Sequence, residues 1–400
     1  MVQIMIRRKP AGQRWHIIPY FSAVLITCSF LPVRPALGKD DLPARLEGAV
    51  RPFIVNHQLA GCVMVVADKH KIIHTITLGW ADVDAKRPMQ ADTLFWIASQ
   101  SKPITATALM ILVDEGRVQL DDPVEKYLPE FRGQWLIAEA AEDHMLLKRP
   151  SRPITVRDIL SHTSGLPFRS ALEVPTLDVF PLAARVRSYA MTPLEFDPGR
   201  RYQYSNAGIN TAARIVEVVT GKRFEEFLKE RIFEPLGMKD TTFWPDKEQL
   251  SRLARAYRYD AQSKELVSVQ IDQLAYPLDD RQNRYPVPAG GLFSTAADLV
   301  KSYQMLLNNG TFEGKRLISE DAVREMTSRQ TRPELDNSYG LGFVVNGPVF
   351  GHGGSHGTNT LADRRKDAIL VWLVQHAGPE AQEAFRQVDQ IFSEWSPDRG

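Results

Sequence analysis

Phe95-Trp96-Ile97-Ala98-Ser99-Gln100-Ser101-Lys102-Pro103-Ile104-Thr105-Ala106-Thr107-Ala108-Leu109-Met110 is the stretch that decides how this chain is read. An apolar lead-in runs into a helix-forming tail, and at the junction a serine and a lysine stand three residues apart. That spacing puts Ser99 and Lys102 on one face of a helix start. A hydroxyl is a poor nucleophile at its own pKa and needs an adjacent base. A lysine amine serves as that base only when its pKa is pushed down, and burial and the positive end of a helix dipole both push that way. Alone the pattern is weak. About one S-x-x-K is expected by chance in a chain of this length, and a serine that caps a helix beside a solvated lysine gives the same letters.

Two motifs further along change the odds. Tyr204-Ser205-Asn206 stands directly before an apolar helix pattern over Ala207–Thr220. A phenol beside a serine can relay protons between nucleophile and leaving group, and the Asn206 amide can hold a lysine or a substrate carbonyl. A core tyrosine followed by a helix cap is the plainer alternative. Later comes His352-Gly353-Gly354-Ser355, between two strand-like runs. Glycines beside a strand let a ligand backbone approach closely. A backbone N–H of this segment, with that of Ser99, can form an oxyanion hole; the plainer alternative is a tight hairpin.

Around these motifs the chain has a clear order. Leu42 to Gln58 reads as an amphipathic helix, with Leu46, Val50, Phe53 and Ile54 on one side. Cys62–Ala67 and Ile72–Leu78 read as a hairpin across Asp68-Lys69-His70-Lys71. From Ser99 to Gly237 the pattern is mostly helical, with segments at Pro103–Asp114, Val156–Leu160, Ala207–Thr220 and Phe224–Phe233. Thr155 and Asp158 form a possible capping box, and Gly221 a helix stop. A helix follows over Ala296–Leu307, then strands at Gly342–Val345 and Ala368–Val374, then a helix from Glu380 to Trp395. The economical arrangement is α/β of the α+β type. An antiparallel sheet is built from both chain ends (about 42–98 and 290–396) and flanked by the terminal helices. A mainly helical part (about 99–289) is inserted, and a cleft between the two is the natural place for a site.

The whole chain of 400 residues carries 49 Lys+Arg against 48 Asp+Glu. A nucleic-acid partner is excluded, since such binders carry a clear basic excess. With 24% charged and 44% hydrophobic residues the chain is globular, not disordered. The balance hides an address tag. Residues 1–38 hold Arg7, Arg8, Lys9, Arg14 and Arg34 and no acid, then the apolar run Ile17–Leu31, then Ala36-Leu37-Gly38. Basic, apolar, small is the layout of a secretory signal peptide cut after Gly38, with an uncleaved anchor as the alternative. Cleavage leaves a body of residues 39–400 with 44 Lys+Arg against 48 Asp+Glu, a net charge of −4. The expected location is periplasmic or secreted, with no membrane contact beyond that segment. Of the two cysteines only Cys62 stays, in an apolar strand-like run where a buried, inert thiol is expected.

S-x-x-K, then Y-x-N, then [HK]-x-G, in that order, resembles the serine β-lactamase and DD-peptidase superfamily. The likeness is to its class C β-lactamase-related branch and the family VIII carboxylesterases. Leu120-Asp121-Asp122-Pro123-Val124, Ile159–Leu166, Pro198-Gly199-Arg200, Tyr204–Gly208, Pro235–Met238 and Gly290–Asp298 carry the same likeness, which spans roughly Leu42 to Glu394. The resemblance implies a two-step acyl transfer. Ser99 would form an acyl-enzyme, with Lys102 and Tyr204 sharing the general-base work and Asn206 orienting Lys102 or the substrate. The amides of Ser99 and Ser355 would hold the oxyanion beside His352, Gly353 and Gly354. No cofactor or metal is implied. The substrate would be a small molecule or peptide with an ester or amide bond, a β-lactam or D-amino-acid peptide among them. One departure matters. Class C β-lactamases typically have lysine where this chain has His352, near the carboxylate of the antibiotic. An unperturbed histidine is mostly neutral at pH 7, so the expectation moves from an efficient β-lactamase toward an esterase or peptide-type hydrolase.

Two rivals stay open. A penicillin-binding sensor of the same fold would acylate without turnover. Gly353-Gly354-Ser355-His356-Gly357 also fits G-x-S-x-G, the nucleophile elbow, which would make Ser355 the nucleophile of an esterase; an elbow needs a strand before the serine and a helix after it. His352 and His356 have a metal-like spacing, but Gly353, Gly354 and Gly357 oppose the helix such a pair needs. His162 reads as structural. Phe168, Tyr202 and the stretch Arg132–Arg152, with Trp135, Leu136, Met145, Leu146 and Leu147, are candidates to line or cover the cleft. The oligomeric state is open.

Overall fold

Alternation along Cys62-Val63-Met64-Val65-Val66-Ala67 gives the first strand, Gly61–Asp68, two apolar faces, and the fold is built on both. This is a computed structural model, describing residues 41–396; the expected address segment lies outside them. Cys62, Met64 and Val66 pack with Leu46 and Val50 of the Leu42–Val55 helix and with Ala384 and Val388 of the Pro379–Glu394 helix. Val63, Val65 and Ala67 face the opposite side, toward the Ala296–Leu307 helix and the inserted part. Successive side chains on a strand point to opposite faces, so a strand buried on both sides reads as a continuous apolar run. Each fully buried aliphatic side chain contributes about 1.5–3 kcal/mol. Cys62 is fully buried and burial pushes its thiol pKa up, which makes it inert.

Among the described residues the sheet has seven strands, drawn from both ends of that range. In spatial order they are Val344–Asn346, Val349–Gly353, Asn359–Asp363, Ala368–Leu373, Gly61–Asp68, Ile72–Asp82 and Arg87–Pro88, each antiparallel to its neighbour. The join between the two ends is the register Val63↔Leu373 to Asp68↔Ala368. The expected strand at Gly342–Val345 begins instead at Val344. Gly342 sits at φ +80, where a Cβ would come within 2.5 Å of Ala106 Cβ, so it is a contact point with the helix after Ser99 and not a strand residue.

The stretch 99–289 has mostly helices among its regular elements. Its Ser101–Asp114 helix packs against Asn206–Thr220, and the latter against Val156–Leu160. Local signals hold at the helix ends. Thr155 and Asp158 form a reciprocal capping box, Thr295 caps the Ala296–Leu307 helix, and Gly221 ends its helix at φ 71. Such caps contribute about 1 kcal/mol each. Two short hairpins interrupt the helices: Leu136–Ala140 with Met145–Lys148, and Ala256–Asp260 with Glu265–Val269. Arg132–Arg152 therefore folds as a surface hairpin that leaves Trp135, Met145 and Leu146 exposed, with the Arg149 guanidinium 3.7 Å from the Trp135 ring centroid. None of its residues is among those described as lining the cavity beside Ser99.

Candidate active site

Ser99 lies in a tight turn, Ala98–Gln100, that feeds the Ser101–Asp114 helix. Ala98 holds φ 47, a left-handed conformation that costs a non-glycine residue about 1–3 kcal/mol. The surroundings fix it there. Ser101 Oγ donates to Ala98 O (2.7 Å) and accepts from Leu292 N–H (3.1 Å), and Trp96 Nε1 donates to Gly290 O (2.8 Å). On the other side Gly354 presses on the same turn. A Cβ there would lie 2.5 Å from Ile97 O and 2.3 Å from Thr358 Oγ1. Only glycine lets the end of the Val349–Gly353 strand come this close to Ser99.

Lys102 Nζ is 2.9 Å from Ser99 Oγ and 2.8 Å from Ala289 O. Asn210 Oδ1 holds Ala289 in place by accepting its N–H (3.1 Å). Lys102 is fully buried, and burial drives its pKa well below the ordinary lysine value. A neutral amine fits these two contacts: an N–H donates to Ala289 O, and the lone pair accepts the Ser99 proton. The Tyr204 hydroxyl interacts with Ser99, and its ring lies 4.5 Å from Lys102 Nζ. Burial pushes the Tyr204 pKa up, so it stays a phenol. Asn206 does not bond Lys102; its Oδ1 is buried without a partner among the described residues, and the residue lines the cavity.

His352 sits behind Tyr204, off the cavity wall. Its Nδ1 is 2.7 Å from Gly353 O, which requires Nδ1–H, so Nε2 is the acceptor. Tyr339 donates to that nitrogen at 3.0 Å, and the Tyr204 hydroxyl is 3.5 Å from it. Burial pushes the His352 pKa down to about 3, and the ring is neutral at pH 7. His162 lies under Tyr204 (centroids 4.5 Å apart) and accepts the Ser205 N–H at Nδ1 (3.1 Å), which anchors the Tyr204 segment. Tyr202 packs on His162 and Tyr339. Sequence reading missed Tyr339, because nothing local distinguishes it; only the flanking glycines of Ser338-Tyr339-Gly340-Leu341-Gly342 hint at close packing.

The Gly353–Gly357 segment is a hairpin turn. The strand Val349–Gly353 turns back into the strand Asn359–Asp363, closed by Gly354 N–H to Thr358 O at 2.7 Å. The strand–turn–helix that a nucleophile elbow needs is therefore absent at Ser355. Ser355 Oγ accepts from Gln273 Nε2 (3.3 Å) and lies 3.5 Å from His356 Nδ1, while His376 pairs with Glu380 (2.8 Å). His356 packs edge-on against Trp96, away from the Tyr339 partnership of His352.

In front of Ser99 lies a cavity of about 500 Å³. Trp96, Phe168, Leu177 and Phe385 give it apolar walls, and Asn206, Gln273, Asn359 and Gln382 give it amides. No Lys, Arg, Asp or Glu is among the described residues lining it.

A buried amine against a serine on a strained turn, with a phenol on the far side, is the equipment of a serine hydrolase. The family model described as Beta-lactamase matches residues 46–391, and the chain belongs to that family of serine hydrolases. Esterase EstB of Burkholderia gladioli is 29% identical over 380 residues, covering 88% of each chain. Protein Rv1367c of Mycobacterium tuberculosis is 33% identical over 363 residues, covering 82% of this chain and 89% of its own. The solved structure of EstCE1, a hydrolase with promiscuous acyltransferase activity, superposes with TM-score 0.73 at 22% identity, covering 88% of this chain and 99% of that one.

Proposed function

We propose that the protein is an exported carboxylesterase acting through an acyl-enzyme on uncharged esters. The observation that carries this reading is the cavity: Ser99 opens on a wall with no formal charge. In this reading Lys102 takes the Ser99 proton as Oγ attacks the ester carbonyl. The pKa directions favour Lys102 over Tyr204 as the base, since burial makes the amine neutral and keeps the phenol protonated. The proton returns through Tyr204 to the leaving alkoxide, and water then hydrolyses the acyl-Ser99 ester with the same pair. Ser99 lies in the first turn of its helical segment, where N–H groups lack intrahelical partners. Its N–H and that of Ser355 bind the oxyanion, with the Gly353 and Gly354 backbone at its side. Asn206 offers its unpaired Oδ1 to the substrate.

A substrate carboxylate, as in a β-lactam or a peptide terminus, finds no cation on this wall, and His352 is neutral and set behind Tyr204. Export rests on the basic, apolar and small-residue order of residues 1–38; fractionation of cells expressing the full chain tests it, and an uncleaved cytoplasmic protein would overturn it. For the activity, the test is p-nitrophenyl ester release by the wild type and by Ser99→Ala and Ser355→Ala, with a fluorophosphonate label mapped by peptide. The expected label is on Ser99. Full activity in Ser99→Ala would sink the reading, and labelling of Ser99 without turnover would favour the sensor.

A further inference from the structure

Behind the reacting groups, two phenols converge on one imidazole nitrogen. His352 has a single lone pair to offer, because its Nδ1–H is committed to Gly353 O (2.7 Å). Tyr339 reaches that lone pair at 3.0 Å and Tyr204 at 3.5 Å. The first is a normal hydrogen bond; the second is at the limit where such a bond has little strength. Tyr339 is fully buried, with its ring against His162 (4.6 Å) and Tyr202 (5.7 Å), so its hydroxyl is held in this place.

We propose that Tyr339 is a positioning residue: by occupying His352 Nε2 it keeps the Tyr204 proton aimed at Ser99 and the leaving group. The inference rests on the proposed role of Tyr204. A buried acceptor without a donor is costly, so His352 Nε2 must be satisfied by one of the two phenols. Were the Tyr339 hydroxyl missing, Tyr204 is the neighbour able to replace it. It would have to move only a few tenths of an ångström, and its O–H would then point away from Ser99. The close approach of Gly340 to Met326 O, where a Cβ would lie 2.2 Å away, fixes the segment that carries Tyr339.

The test is a double-mutant cycle between Tyr339→Phe and Tyr204→Phe, read as kcat and KM on a p-nitrophenyl ester. Tyr339→Phe in the wild type is expected to lower kcat about tenfold with KM little changed. In the Tyr204→Phe background the same change is expected to cost nothing further, since no Tyr204 proton is left to misdirect. Equal losses in both backgrounds, or none in the wild type, would overturn the proposal, as a merely structural Tyr339 gives the first. A second measurement does not depend on Tyr339→Phe folding. In histidine-¹⁵N-labelled wild type, the His352 resonance, assigned by its disappearance in His352→Asn, is expected as the Nδ1–H tautomer. An Nε2–H tautomer could not accept from Tyr339 and would overturn it equally. If Ser99→Ala kept full activity, the proposed chemistry itself would fall, a result distinct from either of these.

Discussion

The two sides of Ser99 differ in kind. Behind it every titratable group is buried, and burial shifts each toward its neutral form: Lys102, Tyr204, His162, His352 and Tyr339. In front of it the described wall has no ionisable acid or base except the Tyr204 phenol itself. The difference teaches where each task lies. Proton handling needs groups whose charge is costly, so that a proton moves readily to where it is needed. Recognition of a neutral ester needs shape and a few amides. A cation in front would serve an anionic substrate, and the fold places none there.

The sharpest way to break this comparison is to empty the rear. Ser99→Ala and Lys102→Ala should each lower kcat by at least about a thousandfold on a neutral ester, because nucleophile and base act as one unit. Both variants should remain folded by circular dichroism. Lys102→Arg should be as inactive as Lys102→Ala, since a guanidinium is always charged and cannot accept the Ser99 proton. A Lys102→Ala enzyme within tenfold of wild type would move the base to Tyr204.

A second effect concerns stability. His162, His352, His356 and His376 are buried with pKa values below the ordinary histidine range, His352 at about 3 and His356 at about 4, each mainly through burial. The unfolded chain takes up protons near pH 6.5 and the native one does not. Stability is thus complete above about pH 6.5 and falls as the solution is acidified toward the folded-state values. His352 and His356, whose values lie well below that point, each contribute a slope of up to about 1.4 kcal/mol per pH unit in that window. Urea denaturation at pH 7.5, 6 and 5 should show the midpoint falling, and His162→Asn should flatten the fall. A midpoint independent of pH across that window would mean that these rings are charged in the native state.

How much of this was legible before the structure depends on whether the signal was local. Ser99 and Lys102 share one turn, Tyr204 and Asn206 open one helix, and the capping box and Gly221 are signals of a few residues; spacing alone exposes all of them. The two-ended sheet was legible because Cys62–Ala67 and Ala368–Val374 are apolar throughout, as strands buried on both faces must be. The rest depends on tertiary placement. Tyr339 meets His352 from a different segment, Gln273 meets Ser355 across 82 positions, and Phe385 and Gln382 reach the cavity from the last helix. His352 looked like a substrate contact because it stands next to Gly353, Gly354 and Ser355, which line the cavity. Its ring turns inward because the strand alternates, which leaves Gly353 on the cavity side, with Gly354 and Ser355 following in the turn.

Placing a charge in front tests the other half of the contrast. Gln273→Lys and Asn359→Lys each set an ammonium on the neutral wall. Either should raise kcat/KM for an ester with a free carboxylate about tenfold relative to the matched neutral ester, the size expected for one partly solvated charge pair. The gain should shrink in 0.5 M salt, since screening acts on exposed charges first. If anionic and neutral esters respond alike, the wall does not select by charge, and substrate preference lies in shape.

The smallest effect belongs to shape. Phe168 is 44% exposed at the cavity and stacks loosely on Tyr204, with ring centroids 6.3 Å apart. Its backbone carbonyl accepts from Asn206 N–H at 3.0 Å, and this bond to the site survives any side-chain change. Phe168→Ala should therefore leave the Tyr204–Ser99 geometry and kcat nearly intact. What it removes is apolar wall, of which a half-exposed ring offers a ligand roughly 1 kcal/mol. KM for a long-chain p-nitrophenyl ester should rise about threefold to fivefold, and KM for the acetate should stay put, since a two-carbon acyl group does not extend along that wall. A fall in kcat with unchanged KM would show the opposite, that Phe168 acts through Tyr204 and belongs with the groups behind Ser99.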